Sequence, residues 1–299
     1  MASQPRVSVL EEFVESRDHQ RLFVRSWRPD HDVRVALAIV HGFNSHSACY
    51  ERFAIDMAIR GIAVYALDLR GRGKSPGTRF DVRRFAEFID DADTLLSTVR
   101  ERYPSRPVFV LGQGVGGVVA CLHALAGKQH LAGLICAGIA LEPSVHAAFL
   151  QGVKAVAALA PRLPLLRLKH AWFSRDTHIV ARMNADPFIM GERQSARTIA
   201  EMLRANDLLR AAVSQLSLPL LVLHGSADEV TLPSGSEYLH EHASSRDKTL
   251  QIFEGYYHDL INDQGHQLVV ERICQWIDAR LDATAHRMQI GIEYINAES

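Results

Sequence analysis

The chain has little surplus charge, few cysteines and no long apolar run, and each shortage closes off a class of function. Its 33 Lys and Arg stand against 34 Asp and Glu, a formal net charge of −1. Nucleic-acid binding needs a concentrated basic surface, so this balance argues against it. The opening residues MASQPRVSVLEEF contain no apolar core of signal-peptide length, and no later run is long enough to cross a bilayer. A soluble, cytoplasmic protein is therefore expected. Cys49, Cys121, Cys136 and Cys274 are scattered, form no C-x-x-C pair and lack histidines at zinc-finger spacing, so no metal site is expected. Cys121, Cys136 and Cys274 have apolar neighbours and read as buried free thiols. Cys49 reads as a thiol packed at a helix start rather than a substitute nucleophile.

What the chain does have is apolar content, 47% of its residues, in a rhythm of buried strand and amphipathic helix. Val9–Glu15 and Leu22–Trp27 flank the polar turn 16–20 and predict a hairpin at a sheet edge. Val35–Val40, Ile62–Leu67 and Val108–Leu111 are short apolar strands. Helices are predicted over 48–60, 81–102 and 115–126 between and after them. This alternation predicts an α/β fold with a mostly parallel sheet covered by helices on both faces. A strand over 131–136, ending near Ala140, continues the pattern. The rhythm stops from about Glu142 to Ser217, where helical periodicity is broken by Pro161, Pro164 and Pro187. It resumes with strands at Leu218–Leu223 and Lys248–Phe253, a helix near 235–242 and a last amphipathic helix, Gln267–Leu281. The expected organisation is a core of residues 1–141 and 218–282, a helical cap over 142–217 and a C-terminal tail over 283–299. In the cap, Leu163, Leu165, Leu166 and Leu168 alternate with Arg162, Arg167 and Lys169. That stretch suits peripheral membrane or acyl-chain contact, or plain packing on the core.

The centre of the sequence is VFVLGQGVGGVVA, residues 108–120. An apolar strand enters a Gly-rich turn and leaves as a small-residue helix, the layout of the nucleophile elbow G-x-S-x-G. Here the five positions read Gly112, Gln113, Gly114, Val115 and Gly116, with glycine where the serine is expected. The partners of such a serine follow in chain order as acid and then histidine, each after a strand. Asp228 follows LPLLVL and His258 follows the strand ending at Phe253. Asp228 would orient the imidazole, and His258 would act as general base and then general acid. His41-Gly42-Phe43 ends the first apolar strand of the core, where the backbone N–H of Phe43 would be one oxyanion donor and that of Val115 the other. Gly73-Lys74-Ser75 invites a phosphate-loop reading, but that pattern needs glycine where Asp68 stands, so a tight turn is expected.

In combination these segments resemble a monoacylglycerol lipase-type, lysophospholipase-like member of the α/β-hydrolase family. The resemblance is carried by HGFNSHSACYERFA, LDLRGRGKSPG, VFVLGQGVGG, SRDTHIVARMNADPF, LLVLHGSADEV and SRDKTLQIFEGYYHDL, in that order from about Val35 to Leu281. It implies hydrolysis of acyl esters with no cofactor and no metal, with Asp228 and His258 as catalytic acid and histidine and Phe43 and Val115 as oxyanion donors. The departure is Gly114, which cannot form an acyl-enzyme. Three readings stand open. Gly114 is a nucleophile knockout of an active serine esterase, or it marks a natural homologue that binds an apolar ligand without hydrolysing it. In the third, the His258–Asp228 dyad carries out non-hydrolytic acid–base chemistry of a lyase or cyclase type.

Overall fold

The computed structural model describes residues 6–127, 130–144 and 147–297. The described chain divides into two units, Met1–Gln264 and Gly265–Ser299. The first unit is built on an eight-stranded sheet. Its strands are β1 (Val7–Glu15), β2 (Arg21–Pro29), β3 (Val35–Val40), β4 (Ile62–Leu67), β5 (Val108–Gln113), β6 (Gly133–Ala137), β9 (Leu220–Gly225) and β10 (Lys248–Phe253). They lie in the order β1-β2-β4-β3-β5-β6-β9-β10. β2 pairs antiparallel with β1 and β4, and every pairing from β4 to β10 is parallel. This is an α/β-hydrolase fold.

β3, β4, β5, β6 and β9 are buried at every residue. Helices cover both faces of such a parallel sheet, so its strands read as unbroken apolar runs. Each fully buried Val, Leu or Ile contributes about 1.5–3 kcal/mol relative to exposure. The covering helices are α1 (Glu51–Ile59), α2 (Ala86–Arg102), α3 (Val115–Leu125) and α7 (Pro233–His242). Strand order reverses at β3, which lies between β4 on one side and β5 on the other. In open α/β sheets the crevice beyond the carboxyl ends of the strands at such a switch point is where ligands bind. The turns after β3 and β5, carrying Phe43 and Gly114, open onto that crevice.

Between β6 and β9 the chain leaves the large sheet. This insert holds α4 (Ala147–Leu159), β7 (Pro164–Leu166), α5 (Thr177–Ala185), β8 (Gln194–Ser195) and α6 (Ala196–Ala212). β7 and β8 pair with each other in a separate two-stranded sheet, within a segment whose periodicity predicted helix alone. Their pairing joins residues distant in the chain, which local periodicity does not register. α2 starts at Ala86 rather than at Asp81. The backbone N–H groups of Val82 and Phe85 donate to Thr198 Oγ1 and the Glu201 carboxylate of α6, each at 2.9 Å. Asp81 accepts from Ser195 at 2.6 Å and pairs with Arg197. The insert supplies the partners that a first helical turn would otherwise need.

The second unit is α8 (His266–Ala297), a helix that begins one residue before the predicted start and continues past Leu281 through most of the stretch read as a tail. Among the described residues no helix is long and apolar enough to cross a membrane.

Candidate active site

Gly114 sits between β5 and α3 at φ 55°, ψ −119°, a conformation that costs a residue with a Cβ of order 1–3 kcal/mol. Its N–H donates to Ala137 O at 3.0 Å, and its carbonyl accepts from Ala140 N at 3.0 Å and Gly117 N at 3.1 Å, so the turn is held on both sides. The tightness of this corner explains the second half of the glycine pattern. A Cβ on Gly116 would lie 2.0 Å from Val40 O, which only an absent side chain permits as α3 crosses the end of β3.

A Cβ built on Gly114 would lie 3.1 Å from His258 Nε2 and 3.8 Å from Gly42 Cα. His258 Nδ1 is 2.8 Å from Asp228 Oδ2. Asp228 is in turn held by Val230 N and Thr231 N on Oδ1, at 2.7 and 2.9 Å, and by the Thr231 hydroxyl on Oδ2 at 2.9 Å. A second imidazole, His224 Nε2, lies 3.1 Å from the same Oδ2, and His224 Nδ1 contacts Ser236 Oγ at 2.7 Å. Burial works against ionisation of Asp228, but the imidazoles of His258 and His224 outweigh it and hold the carboxyl well below the usual carboxylate range. Burial likewise works to lower His258, but the Asp228 carboxylate reverses the direction and raises it. The ring is also fixed by Phe173 of the insert, edge-on at a centroid distance of 5.2 Å.

The structure thus brings Gly114, Asp228 and His258 together, with Phe43 and Val115 beside them. Neither the Phe43 nor the Val115 N–H donates to a main-chain acceptor among the described residues. The loop carrying Phe43 is positioned from several directions. His41, at the end of β3, contacts Gly42 O through Nδ1 at 2.7 Å and accepts from Leu69 N through Nε2 at 3.0 Å. Burial drives its pKa down to about 3, so the ring is neutral with one nitrogen donating and the other accepting. Arg72 lays its guanidinium 4.5 Å from the centre of the Phe43 ring and pairs with Glu192 of the insert. Glu192 Oε2 accepts from Asn44 N at 3.1 Å. Beneath the elbow, Gln113 donates to Asp259 at 3.1 Å and accepts from Tyr50 at 2.5 Å.

Arg72, Glu192, His224 and Thr231 escaped the sequence reading, because each matters only through a partner that folding delivers. His224 alone carried a signal, standing four residues before Asp228. The Gly73-Lys74-Ser75 turn cradles no anion: Asp68 fills it, accepting from Lys74 N at 2.7 Å and Ser47 N at 2.6 Å.

Two cavities flank the site. The larger, about 400 Å³, runs from Gly42 and Gln113 to the insert residues Met183 and Phe188. The smaller, about 40 Å³, is lined by Gly114, Val115, Leu168 and Met202 among others. Phe43, Phe173 and His258 are walls of both.

Comparison with known proteins agrees with this architecture. The Hydrolase_4 family, described as serine aminopeptidase S33, matches residues 31–265. The chain is 31% identical over 268 residues to human monoglyceride lipase, covering 88% of each chain. It is 29% identical over 263 residues to the monoacylglycerol lipase of Mycolicibacterium smegmatis, covering 87% of this chain and 94% of the relative. Among solved structures it is similar to Paleococcus ferrophilus monoacylglycerol lipase, with a TM-score of 0.76, 25% identity and coverage of 87% and 99%. A soluble variant of the Saccharomyces cerevisiae monoglyceride lipase, bound to a substrate analogue, shares the fold with a TM-score of 0.83 at 20% identity, over 94% and 97% of the two chains.

Proposed function

Because the chain belongs to the Hydrolase_4 family and has a monoglyceride lipase-like α/β-hydrolase scaffold, we propose that it is an acyl-ester hydrolase site without its nucleophile. It binds monoacylglycerol-like acyl esters or another apolar ligand, and its hydrolytic turnover is lost or severely reduced because Gly114 has no hydroxyl. The observation that carries this reading is the 3.1 Å from His258 Nε2 to a Cβ on Gly114. A serine there would have its Oγ beside the imidazole that must take its proton.

In the complete site that hydroxyl would attack the ester carbonyl while His258 Nε2 accepts its proton and Asp228 steadies the imidazolium. The N–H groups of Phe43 and Val115 would bind the developing oxyanion, and His258 would return the proton to the leaving alcohol. Every one of these groups except the hydroxyl is a backbone N–H or a side chain present in this chain. Oxyanion donors and binding alone give roughly a thousandfold to ten-thousandfold over water, so slow residual hydrolysis by this chain is consistent with the missing hydroxyl.

The intact Asp228–His258 pair, with His224 and Thr231 backing the carboxylate, favours a second reading: acid–base chemistry on a bound ligand without a covalent intermediate, as in an elimination or cyclisation. The insert acts as a cap in either case. Leu159 at 89% exposure, with the exposed Leu163 and Met190, gives it an apolar outer surface suited to peripheral contact with a membrane that carries the ligand.

The test is p-nitrophenyl butyrate hydrolysis and fluorophosphonate labelling of the parent chain and of Gly114→Ser. The parent is expected to be near-inert and unlabelled, and the variant to hydrolyse and label at position 114. Rapid hydrolysis by the parent would overturn the reading. An inert, folded Gly114→Ser protein would move the assignment to the acid–base reading, for which loss of a conversion in His258→Ala is the check.

A further inference from the structure

The larger cavity holds a second constellation, separate from Gly114 and the Asp228–His258 pair. His46, Cys49 and Asp186 all line it. Each offers one ligand atom, and the three atoms lie within 4.8 Å of one another. His46 and Cys49 sit about one turn apart where the loop after β3 winds into the short 3-10 turn Ser47–Tyr50 ahead of α1. Asp186 comes from the insert, directly after α5. Its Oδ2 is 2.8 Å from His46 Nε2, and its Oδ1 accepts from Phe188 N at 2.8 Å. The Phe188 ring stands edge-on to the imidazole at 5.3 Å. The imidazole and the carboxylate are therefore oriented before anything binds. Cys49 is a free, half-buried thiol.

An imidazole nitrogen, a sulfur and a carboxylate oxygen converging on one point are the donors of Zn²⁺ and its borderline-soft neighbours. Ca²⁺ and Mg²⁺ take oxygen ligands instead. Bond lengths of about 2.0–2.3 Å place the donors of a tetrahedral site about 3.4 Å apart. Atoms within 4.8 Å of one another meet that condition once the 2.8 Å His46–Asp186 contact opens by roughly half an ångström and any pair near the upper limit closes by about an ångström. Three protein donors leave the fourth position free, and all three donor residues line the cavity.

We propose that His46, Cys49 and Asp186 bind one divalent cation of the Zn²⁺ class, which fastens the insert to the loop after β3 across the cavity wall. On binding, the cation takes the place of the proton between His46 and Asp186 and of the Cys49 thiol proton; both leave to solvent, and no redox change occurs. Two segments otherwise joined by a hydrogen bond become joined by metal–ligand bonds, so exchange of an apolar ligand through the cavity slows. The site is independent of the ester chemistry at Gly114. Spacing did not reveal it because its third donor comes from a distant part of the chain.

The full-length chain, reduced and freed of metal with a chelator, is titrated with Co²⁺. A thiolate-to-cobalt charge-transfer band in the near ultraviolet is expected to saturate at one equivalent and to vanish on addition of Zn²⁺. Cys49→Ser is expected to abolish the band, Asp186→Asn to weaken binding at least about tenfold, and Cys274→Ser to leave it unchanged. Zn²⁺ should slow release of a fluorescent fatty acid several-fold in the parent and not in Cys49→Ser. Absence of the band, persistence of the band in Cys49→Ser, or unchanged affinity in Asp186→Asn would overturn the proposal. Iodoacetamide labelling of Cys49 at the same rate with and without Zn²⁺ would also overturn it, leaving a reactive thiol beside an imidazole.

Discussion

His258 Nε2 stands 3.1 Å from the point a Cβ on Gly114 would occupy. That contact is tight enough that a side chain there must displace the ring by a few tenths of an ångström. Gly114 also holds a positive φ that penalises any Cβ. Gly114→Ser is therefore expected to gain ester hydrolysis while losing about 1–3 kcal/mol of stability. Gly114→Ala should lose the same stability and gain no activity. Urea unfolding of the two variants beside the parent checks the pair of outcomes.

The direction of the His258 shift sets a pH profile. Its imidazole is raised by Asp228, so kcat/KM of Gly114→Ser should climb with pH through an apparent value above the ordinary histidine 6.5. Adding Asp228→Asn should move that limb to lower pH and cut the rate by orders of magnitude, about 10⁴-fold in the comparable triad. A profile that stays put in the double variant would refute the coupling.

Asp228 itself makes a stability prediction. Its folded carboxyl lies below its unfolded value of about 3.9, so the stability it contributes is present above that pH and is lost as pH falls toward the folded value. The stability gap between the parent and Asp228→Asn should therefore be widest above about pH 4 and should narrow in more acidic solution. Denaturant melts at a series of pH values measure the gap directly.

Arg72 and Glu192 form a buried ion pair, 2% and 1% exposed, between a core loop and the insert. Removing one charge strands the other, so Arg72→Met is expected to cost about 3–5 kcal/mol. The double variant Arg72→Met with Glu192→Met should recover part of that loss. A double-mutant cycle in urea checks it. Glu192 also holds Asn44 N, so Glu192→Gln is expected to weaken transition-state binding in Gly114→Ser even where the fold survives.

The exposed apolar residues of the insert make a prediction with the opposite character. Leu159 and Leu163 contribute little to the folded core, so Leu159→Glu with Leu163→Glu should leave the unfolding midpoint nearly unchanged. The same change should reduce cosedimentation with lipid vesicles, because each leucine offers about 1.5–3 kcal/mol of burial in an apolar phase. Equal vesicle binding by parent and variant would remove this surface from consideration.

Much of the fold could be read from local pattern. Val35–Val40 and Ile62–Leu67 occur as strands within the predicted bounds, because a strand buried on both faces must be continuously apolar, and the half-buried edge strand Lys248–Phe253 is found where its alternating apolar residues place it. The edge hairpin of β1 and β2 followed from alternation and a polar turn. Where local pattern failed, a distant side chain had taken over a backbone group. Thr198 and Glu201 anchor the Val82 and Phe85 N–H groups in the loop ahead of α2, which starts five residues later than the local pattern suggests. The β7–β8 pair depends on residues meeting from opposite ends of the insert.

The same division runs through the site. Residue order alone determined most strands of the large sheet and its mostly parallel character, the turn at Gly112–Gly116 and the succession Gly114, Asp228, His258, because strand-end loops and glycine turns are written in neighbouring residues. Only the tertiary structure decided that His258 faces the empty side of Gly114, that His224 shares Asp228, and that Glu192 reaches across to Arg72 and Asn44. Those are contacts between side chains far apart in the chain, and their energies depend on burial and distance, which a linear pattern does not contain.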